Sequence, residues 1–392
     1  LFKDRRNNHR AAILAALFLF VLVDFSQLYP QERHLGLWVV RNQMTDKKSI
    51  DRFIDFAWLN GFTDIFVQVR GRGDAYYNSE IVPVADRLDG SGFDPLDYAV
   101  TAAHGNGLKI HIWLNVYLLW SSDDRPKSRE HLYWKHPEWC AIDENGIRDI
   151  DRSADEFKKK GTEGIYLSPL VPEVQLHLIQ VVSEIVQKYL VDGVHLDYVR
   201  YPKDSYDFNE QARFRFKQKC GVDPILLSIS NKSFYNGLDD QMLEQNINDW
   251  NDFRREGINE LIRGIRKSIT ASQRPVLLST AVKPDPIEAK DHFFQDWETW
   301  LKNGWIDFAV PMNYTKNADK FEMIIREMDP SIPKNKVWMG IGVYNQNKFD
   351  AMAKTMISLS SGFPNVVFFS YETFADEPSY FKTLQKAFKI GQ

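Results

Sequence analysis

Cysteine is scarce: the 392-residue chain has two, Cys140 and Cys220. Neither sits in a metal-ligand spacing, which excludes a zinc ribbon or a C-x-x-C redox pair, and the two are read as separate thiols. A large charge excess is also missing. With a formal net charge of -4, the chain lacks the basic balance that nucleic-acid binding requires, so no nucleic-acid partner is expected. No low-complexity tract and no repeat beyond a strand–helix period occur. No Gly-rich phosphate loop follows the first apolar run, which weighs against a doubly wound nucleotide-binding sheet. An apolar run of about 20 residues, the length that spans a bilayer, is absent too. The longest, residues 11–23, follows Lys3, Arg5, Arg6 and Arg10. Together they resemble the charged and hydrophobic regions of an export signal. Residues 1–30 are therefore read as a signal peptide or, because Asp24, Phe25 and Ser26 match a cleavage site poorly, an uncleaved anchor attached to the membrane through residues 11–23. Both readings place the protein outside the cytoplasm, in the periplasm or beyond, and leave residues 31–392 for the folded domain.

What is present is a globular composition, 44% hydrophobic and 26% charged, with 14% aromatic residues. Many of the rings fall just after apolar runs rather than inside helix-period segments, which suits a ring-shaped ligand. From Leu35 onward eight short runs alternate with amphipathic segments: "LGLWVV" (35–40), "DIFVQV" (64–69), "LKIHIWLNV" (108–116), "GVHLDYV" (193–199), "PVLLSTAV" (275–282), "DFAVPMNY" (307–314), "VWMGIGV" (337–343) and "NVVFFSY" (365–371). Near-continuous apolar strands are those covered on both faces. Between them, Ile50, Phe53, Ile54, Ala57 and Trp58 form a helical stripe closed by Gly61, and Val174, Leu178, Val181, Val182 and Ile185 form another. Eight such pairs predict an α/β fold of the (β/α)8 TIM-barrel type, with long insertions at 121–168 and 203–248 after the third and fourth strands.

Side chains at the C-terminal ends of barrel strands converge on one mouth. From the second strand onward those ends supply Gln68, Arg70 and Asp74; Trp113 and Asn115; His195, Asp197 and Arg200; Lys283 and Asp285; Asn313 and Tyr314; Tyr344; and Tyr371 and Glu372. Carboxylates, amides and rings in one rim suit glycoside hydrolysis, in which one carboxyl group protonates the leaving oxygen while another acts as nucleophile or base. Asp197, closing an apolar strand, is the first candidate. The competing reading is a structural aspartate paired with Arg70 or Arg200. Glu372 and Asp74 are candidates for the second carboxyl, and His195 is either a substrate contact or a satisfied core histidine. Trp113, Trp120, Trp134 and Trp139 are candidates for a sugar platform, whereas Trp58, Trp297 and Trp300 are read as core. Lys283 raises a separate possibility, a Schiff-base aldolase or lyase.

Three stretches, "FVQVRGRGDAYYNSEIVP" (66–83), "LKIHIWLNVY" (108–117) and "VDGVHLDYVRYP" (191–202), occur in the order and spacing of glycoside-hydrolase-like family 10. The resemblance covers most of residues 34–375. It implies an exported (β/α)8 barrel acting on a polysaccharide, with peptidoglycan glycan strands as a candidate substrate. It carries Gln68, Arg70, Asp74, Asn115, His195 and Asp197 into the cleft. Two departures stand out: Tyr198 occupies a position where many members have a second aspartate, and the aromatic pair after the sixth strand reads "MNYT". "DGVHLDYV" also resembles the fourth-strand pattern of family 18 chitinases, but Val199 stands in place of their glutamate and His195 in place of an aspartate.

The sequence thus predicts a glycoside hydrolase that needs no cofactor and no metal. Asp197 is nucleophile or base, Glu372 or Asp74 is the acid, and Gln68, Arg70, Trp113, Asn115, His195, Arg200, Asn313, Tyr314 and Tyr344 hold the sugar. The alternative from another class is a barrel that binds glycans without cutting them.

Overall fold

The computed structural model describes residues 33–228 and 239–388; the proposed signal or anchor at 1–30 lies outside the described residues. Eight parallel strands form the barrel: β1 (Leu35–Val39), β2 (Asp64–Arg70), β3 (Lys109–Asn115), β4 (Gly193–Asp197), β5 (Leu277–Val282), β6 (Phe308–Pro311), β7 (Met339–Gly342) and β8 (Val366–Phe369). Seven neighbouring pairs hydrogen-bond in register, β1 pairing with both β2 and β8. The ring is completed between β6 and β7 by isolated parallel bridges, Ala309 with Val337 and Met312 with Gly340.

Each strand is followed by a helix: α1 (Lys47–Leu59), α2 (Pro95–Gly105), α3 (Pro172–Lys188), α4 (Asp240–Ala271), α5 (Trp297–Lys302), α6 (Ala318–Glu327), α7 (Lys348–Ser360) and α8 (Pro378–Leu384). Their starts are written in the sequence. Asp46, Asp94, Asp239, Asp296, Asn317 and Asn347 each accept a backbone N–H from the first turn of the helix that follows, which satisfies a donor that otherwise has no partner. The expected stripe on α1 is buried at Ile50, Phe53, Ile54 and Ala57, but Trp58 is 55% exposed. Eight residues beyond Ile50 a helix has rotated by about 80°, so Trp58 falls off the edge of the buried face. Trp297 and Trp300 are fully buried, as expected.

Inside the ring, alternate side chains stack in layers. Trp38, Phe66, Trp113, Phe308, Trp338 and Val367 belong to one inner cluster, so the barrel is a packed core rather than a pore. At its N-terminal end the buried Asp64 carboxylate takes hydrogen bonds from His34, His111 and Thr63. After β3 the chain makes an antiparallel ribbon, Leu118–Trp120 with Ile165–Tyr166, around two short helices (Leu132–Lys135 and Ala154–Lys160) before α3. After β4 the helix Glu210–Cys220 precedes α4. Both excursions leave from C-terminal strand ends, where they border the mouth. Cys140 and Cys220 are free thiols. Among the described residues no helix is long and apolar enough to cross a membrane.

Candidate active site

Asp197 is the last residue of β4, and the strand stops there because Tyr198 turns into the left-handed region at φ 51°. A tyrosine in that conformation costs about 1 kcal/mol or more. The turn aims the Tyr198 N–H at the Asp197 carboxyl, which accepts it at 2.7 Å. The carboxyl is 7% exposed. Burial raises its pKa to about 6, partly opposed by Arg200 and by the Tyr198 N–H. The Trp113 indole N–H lies beside it and favours its ionised form.

Arg200 organises the charges around Asp197. Its Nη2 donates to Glu163 at 2.8 Å, and its guanidinium lies 4.8 Å from the centre of the Tyr198 ring and 5.3 Å from that of Phe293. Glu163 also accepts the Tyr166 hydroxyl at 2.8 Å. Burial alone would raise the Glu163 pKa, but Arg200, Tyr166 and Lys283 together hold it below the ordinary value, so it is ionised. The Lys283 ammonium sits 4.2 Å from the centre of the Phe293 ring; burial and then Arg200 lower its pKa. The mouth therefore holds one carboxyl pushed toward its protonated form and one held ionised, both within the influence of the same guanidinium.

Rings form the opposite wall. Tyr314 stacks on Phe369, centroids 5.7 Å apart, and Tyr344 meets both edge-on at 6.1 and 5.6 Å. Burial, and then the Asp197 charge, hold the Tyr314 hydroxyl well above its ordinary pKa. Tyr344 is 57% exposed. A third wall is polar: the Gln68 amide donates to Asn115 Oδ1 at 3.2 Å, Asn115 donates to the Gly71 carbonyl at 2.9 Å, and Gln68 Oε1 accepts Arg41 Nη1 at 2.9 Å.

The structure brings Gln68, Trp113, Asn115, Asp197, Arg200, Tyr314 and Tyr344 together at the mouth. Others are placed elsewhere. Arg70 does not face the mouth: a register shift between Gln68 and Arg70 sets Arg70 opposite Leu114, on the outer face of the sheet. There its guanidinium donates to the carbonyls of Asn115 and Val116, among Leu178, Val182 and Leu196. His195 lies a layer below Asp197 and is fully buried. Its Nε2 accepts the Trp38 indole N–H at 3.2 Å, and its Nδ1 meets the Ser279 hydroxyl at 2.9 Å. Because that hydroxyl is directed to the Val194 carbonyl, Nδ1 carries the proton and the ring is neutral. Burial holds its pKa well below the ordinary value, so His195 is a satisfied core histidine. Asn313 is buried with its amide on the Phe321 carbonyl at 3.2 Å, tethering the start of α6. Asp74 accepts the Arg72 N–H at 2.9 Å, and Asp285 caps the helix Pro286–His292. Glu372 accepts the Ser370 hydroxyl in the first turn of the helix Tyr371–Asp376.

Arg41 and Glu163 escaped the sequence reading. Arg41 follows β1 as the other rim residues follow their strands, so the same rule applied to the first strand finds it. Glu163 lies in the excursion after β3, where no periodicity marks it. Two clefts flank the cluster. One, of ≈ 920 Å3, is lined by Trp120, Ser121, Arg125, Tyr133 and Glu163 among others; the second, of ≈ 620 Å3, by Lys203, Asp285, Glu288, His292 and Phe293. Arg200 touches a wall residue of each. Of the other tryptophans offered as a platform, Trp120 borders the first cleft, Trp134 lies under Arg129 at 4.2 Å, and Trp139 is stacked on His136.

The family model described as Glycosyl hydrolase-like 10 matches residues 27–354. The chain belongs to this family. Within it, the chain is 24% identical over 323 residues to glycosyl hydrolase YngK of Bacillus subtilis, covering 76% of this chain and 55% of that one. It is likewise 24% identical over 335 residues to glycosyl hydrolase DigH of Escherichia coli K12, covering 78% and 67%. The chain thus spans little more than half of the first relative and about two thirds of the second. Among solved structures, the glycoside hydrolase domain of PgaB (BpsB) from Bordetella bronchiseptica superposes with a TM-score of 0.66 at 12% identity, covering 89% of this chain and 97% of that one. That likeness shows the TIM-barrel fold of this glycosyl hydrolase-like 10 member, and the fold alone.

Proposed function

We propose that the protein is a glycoside hydrolase whose Asp197 donates the proton to the leaving oxygen and whose Glu163, held ionised by Arg200, serves as base or nucleophile. The family and its glycosyl hydrolase relatives support a glycan-acting hydrolase. The observation that carries the assignment is a buried carboxyl at the mouth with a pKa raised to about 6, beside a second carboxyl held ionised. Environments that push two carboxyl groups apart are how a hydrolase separates acid from base. This exchanges the role expected of Asp197 from sequence, nucleophile or base, for that of acid. It also favours Glu163 over Asp74 and Glu372, because the Glu163 charge reaches Asp197, Arg200 acts on both carboxyl groups, and Glu163 lines a cleft. Tyr314 and Tyr344 supply faces for a sugar ring, while Gln68 and Asn115 supply amides for its hydroxyls.

The substrate proposed is a polysaccharide, with peptidoglycan glycan strands the first to test, and the proposed location is outside the cytoplasm, consistent with the basic and apolar run at residues 3–23. The test is release of new reducing ends from purified peptidoglycan glycans. Wild-type protein is expected to produce them, and Asp197→Asn to lose about 100-fold or more of the rate, the usual weight of a positioned proton donor. Undiminished release by Asp197→Asn overturns the assignment; no release by wild type returns the chain to the glycan-binding alternative.

A further inference from the structure

The segment "RGRGD" (70–74) is fixed more firmly than a loop needs to be. The Arg72 N–H is held by Asp74 at 2.9 Å, its carbonyl accepts His131 Nε2 at 2.7 Å, and its Nε donates to Ser121 at 3.1 Å. Its guanidinium lies 5.7 Å from the centre of the Trp120 ring. A Cβ on Gly73, at φ +71°, would stand 2.8 Å from both His131 and Leu119, so the turn closes only on glycine. Arg41 is laid along the same segment: a Cβ on Gly71 would come within 2.6 Å of its Cδ. Its Nη1 is anchored on Gln68, an amide of the mouth.

Arg41 and Arg72 thus flank one segment, Arg41 against Gly71 and the Gln68 amide of the mouth and Arg72 against Trp120 and Ser121 of the larger cleft, and the Arg41 charge reaches Arg72. Among the described residues neither makes an ion pair, although ion pairs are frequent elsewhere on the chain. Asp74 influences Arg72 across the turn but spends an oxygen on its N–H. Preorganised cations without counter-ions are sites for an anion, and the guanidinium fork suits a carboxylate.

We infer that Arg41 and Arg72 recognise a carboxylate carried by the glycan, next to the sugar held at Asp197. The inference rests on the proposed glycan-acting function and narrows its substrate class to acidic glycans. A carboxylate can come from a lactyl ether on the sugar, as in muramic acid, or from a uronic acid ring.

The test measures binding by the full chain carrying Asp197→Asn, so that it does not depend on turnover. Titrations use a peptide-free peptidoglycan tetrasaccharide and a uronate tetrasaccharide, each compared with its carboxyl-reduced counterpart. At least one acidic form is expected to bind about tenfold or more tighter than its reduced form, the weight of one hydrogen bond between charged partners. Which pair shows the preference identifies the source. The preference is expected to shrink with added salt and to vanish in Arg41→Gln/Arg72→Gln while the reduced form still binds. Equal affinity for acidic and reduced forms in both pairs, or binding of none, overturns the inference. Neither result bears on whether neutral glycans are cleaved. The wild-type arginine comparison stands even where the double variant does not fold.

Discussion

A carboxyl kept protonated by burial is a liability for folding, and Asp197→Asn exposes how large a one. Asp197 is lifted from 3.8 to about 6 in the folded chain. Between those values the native state binds more protons than the unfolded one, so stability falls as pH rises through the window. Above about pH 6 the loss is complete, and a displacement of this size corresponds to about 3 kcal/mol. Asparagine keeps the shape and an oxygen for the Tyr198 N–H, and it has no charge to bury. The variant is therefore expected to match or trail wild type near pH 4 and to become more stable than it above pH 6, by up to about 3 kcal/mol. Urea unfolding at pH 4, 5, 6 and 8 measures this. The comparison at each pH cancels Asp149 and Asp207, whose pKa values burial also raises, to about 7 and about 6. A stability difference that stays constant from pH 4 to 8 would refute the reasoning, since it would mean Asp197 titrates alike in both states.

Arg200→Met removes the charge that lowers both carboxyl groups, so both limbs of the pH profile of kcat/KM are expected to move to higher pH; unmoved limbs would detach Arg200 from the acid–base pair. His195→Phe leaves the Trp38 indole N–H without an acceptor and the Ser279 oxygen without its donor, and is expected to cost about 1–3 kcal/mol of stability with KM unchanged. A raised KM with unchanged stability would return His195 to the substrate. Tyr344→Ala, at an exposed ring, is expected to leave the melting temperature alone and raise KM several-fold, the weight of about 1 kcal/mol of stacking; KM is read from initial rates of reducing-end release.

The barrel was legible because strands buried on both faces leave unbroken apolar runs, and because apolar stripes at helical spacing, one closed by Gly61, fill the intervals between them. The mouth was legible as far as alternation along a strand holds. Asp197, Gln68 and Asn115 follow the parity and point inward. Arg70 does not, because one extra residue after Gln68 reverses the face. His195 obeys the parity but sits one layer too deep to meet a substrate, and no composition rule counts layers. Asn313 lies just past β6, where the chain has already turned toward α6. Glu163 was hidden for another reason: its position is set by a ribbon folded back from a loop and by an arginine 37 residues away in sequence, a tertiary relation that leaves no local pattern.

The central claim is that a buried, protonated Asp197 drives glycan cleavage at this mouth, and the pH dependence of reducing-end release tests it most directly. The account predicts that kcat/KM on peptidoglycan glycans falls as pH rises past about 6, the value set by burial of that carboxyl, and that Asp197→Asn abolishes both the rate and this limb. A rate flat from pH 5 to 8, or one that survives in Asp197→Asn, would contradict it.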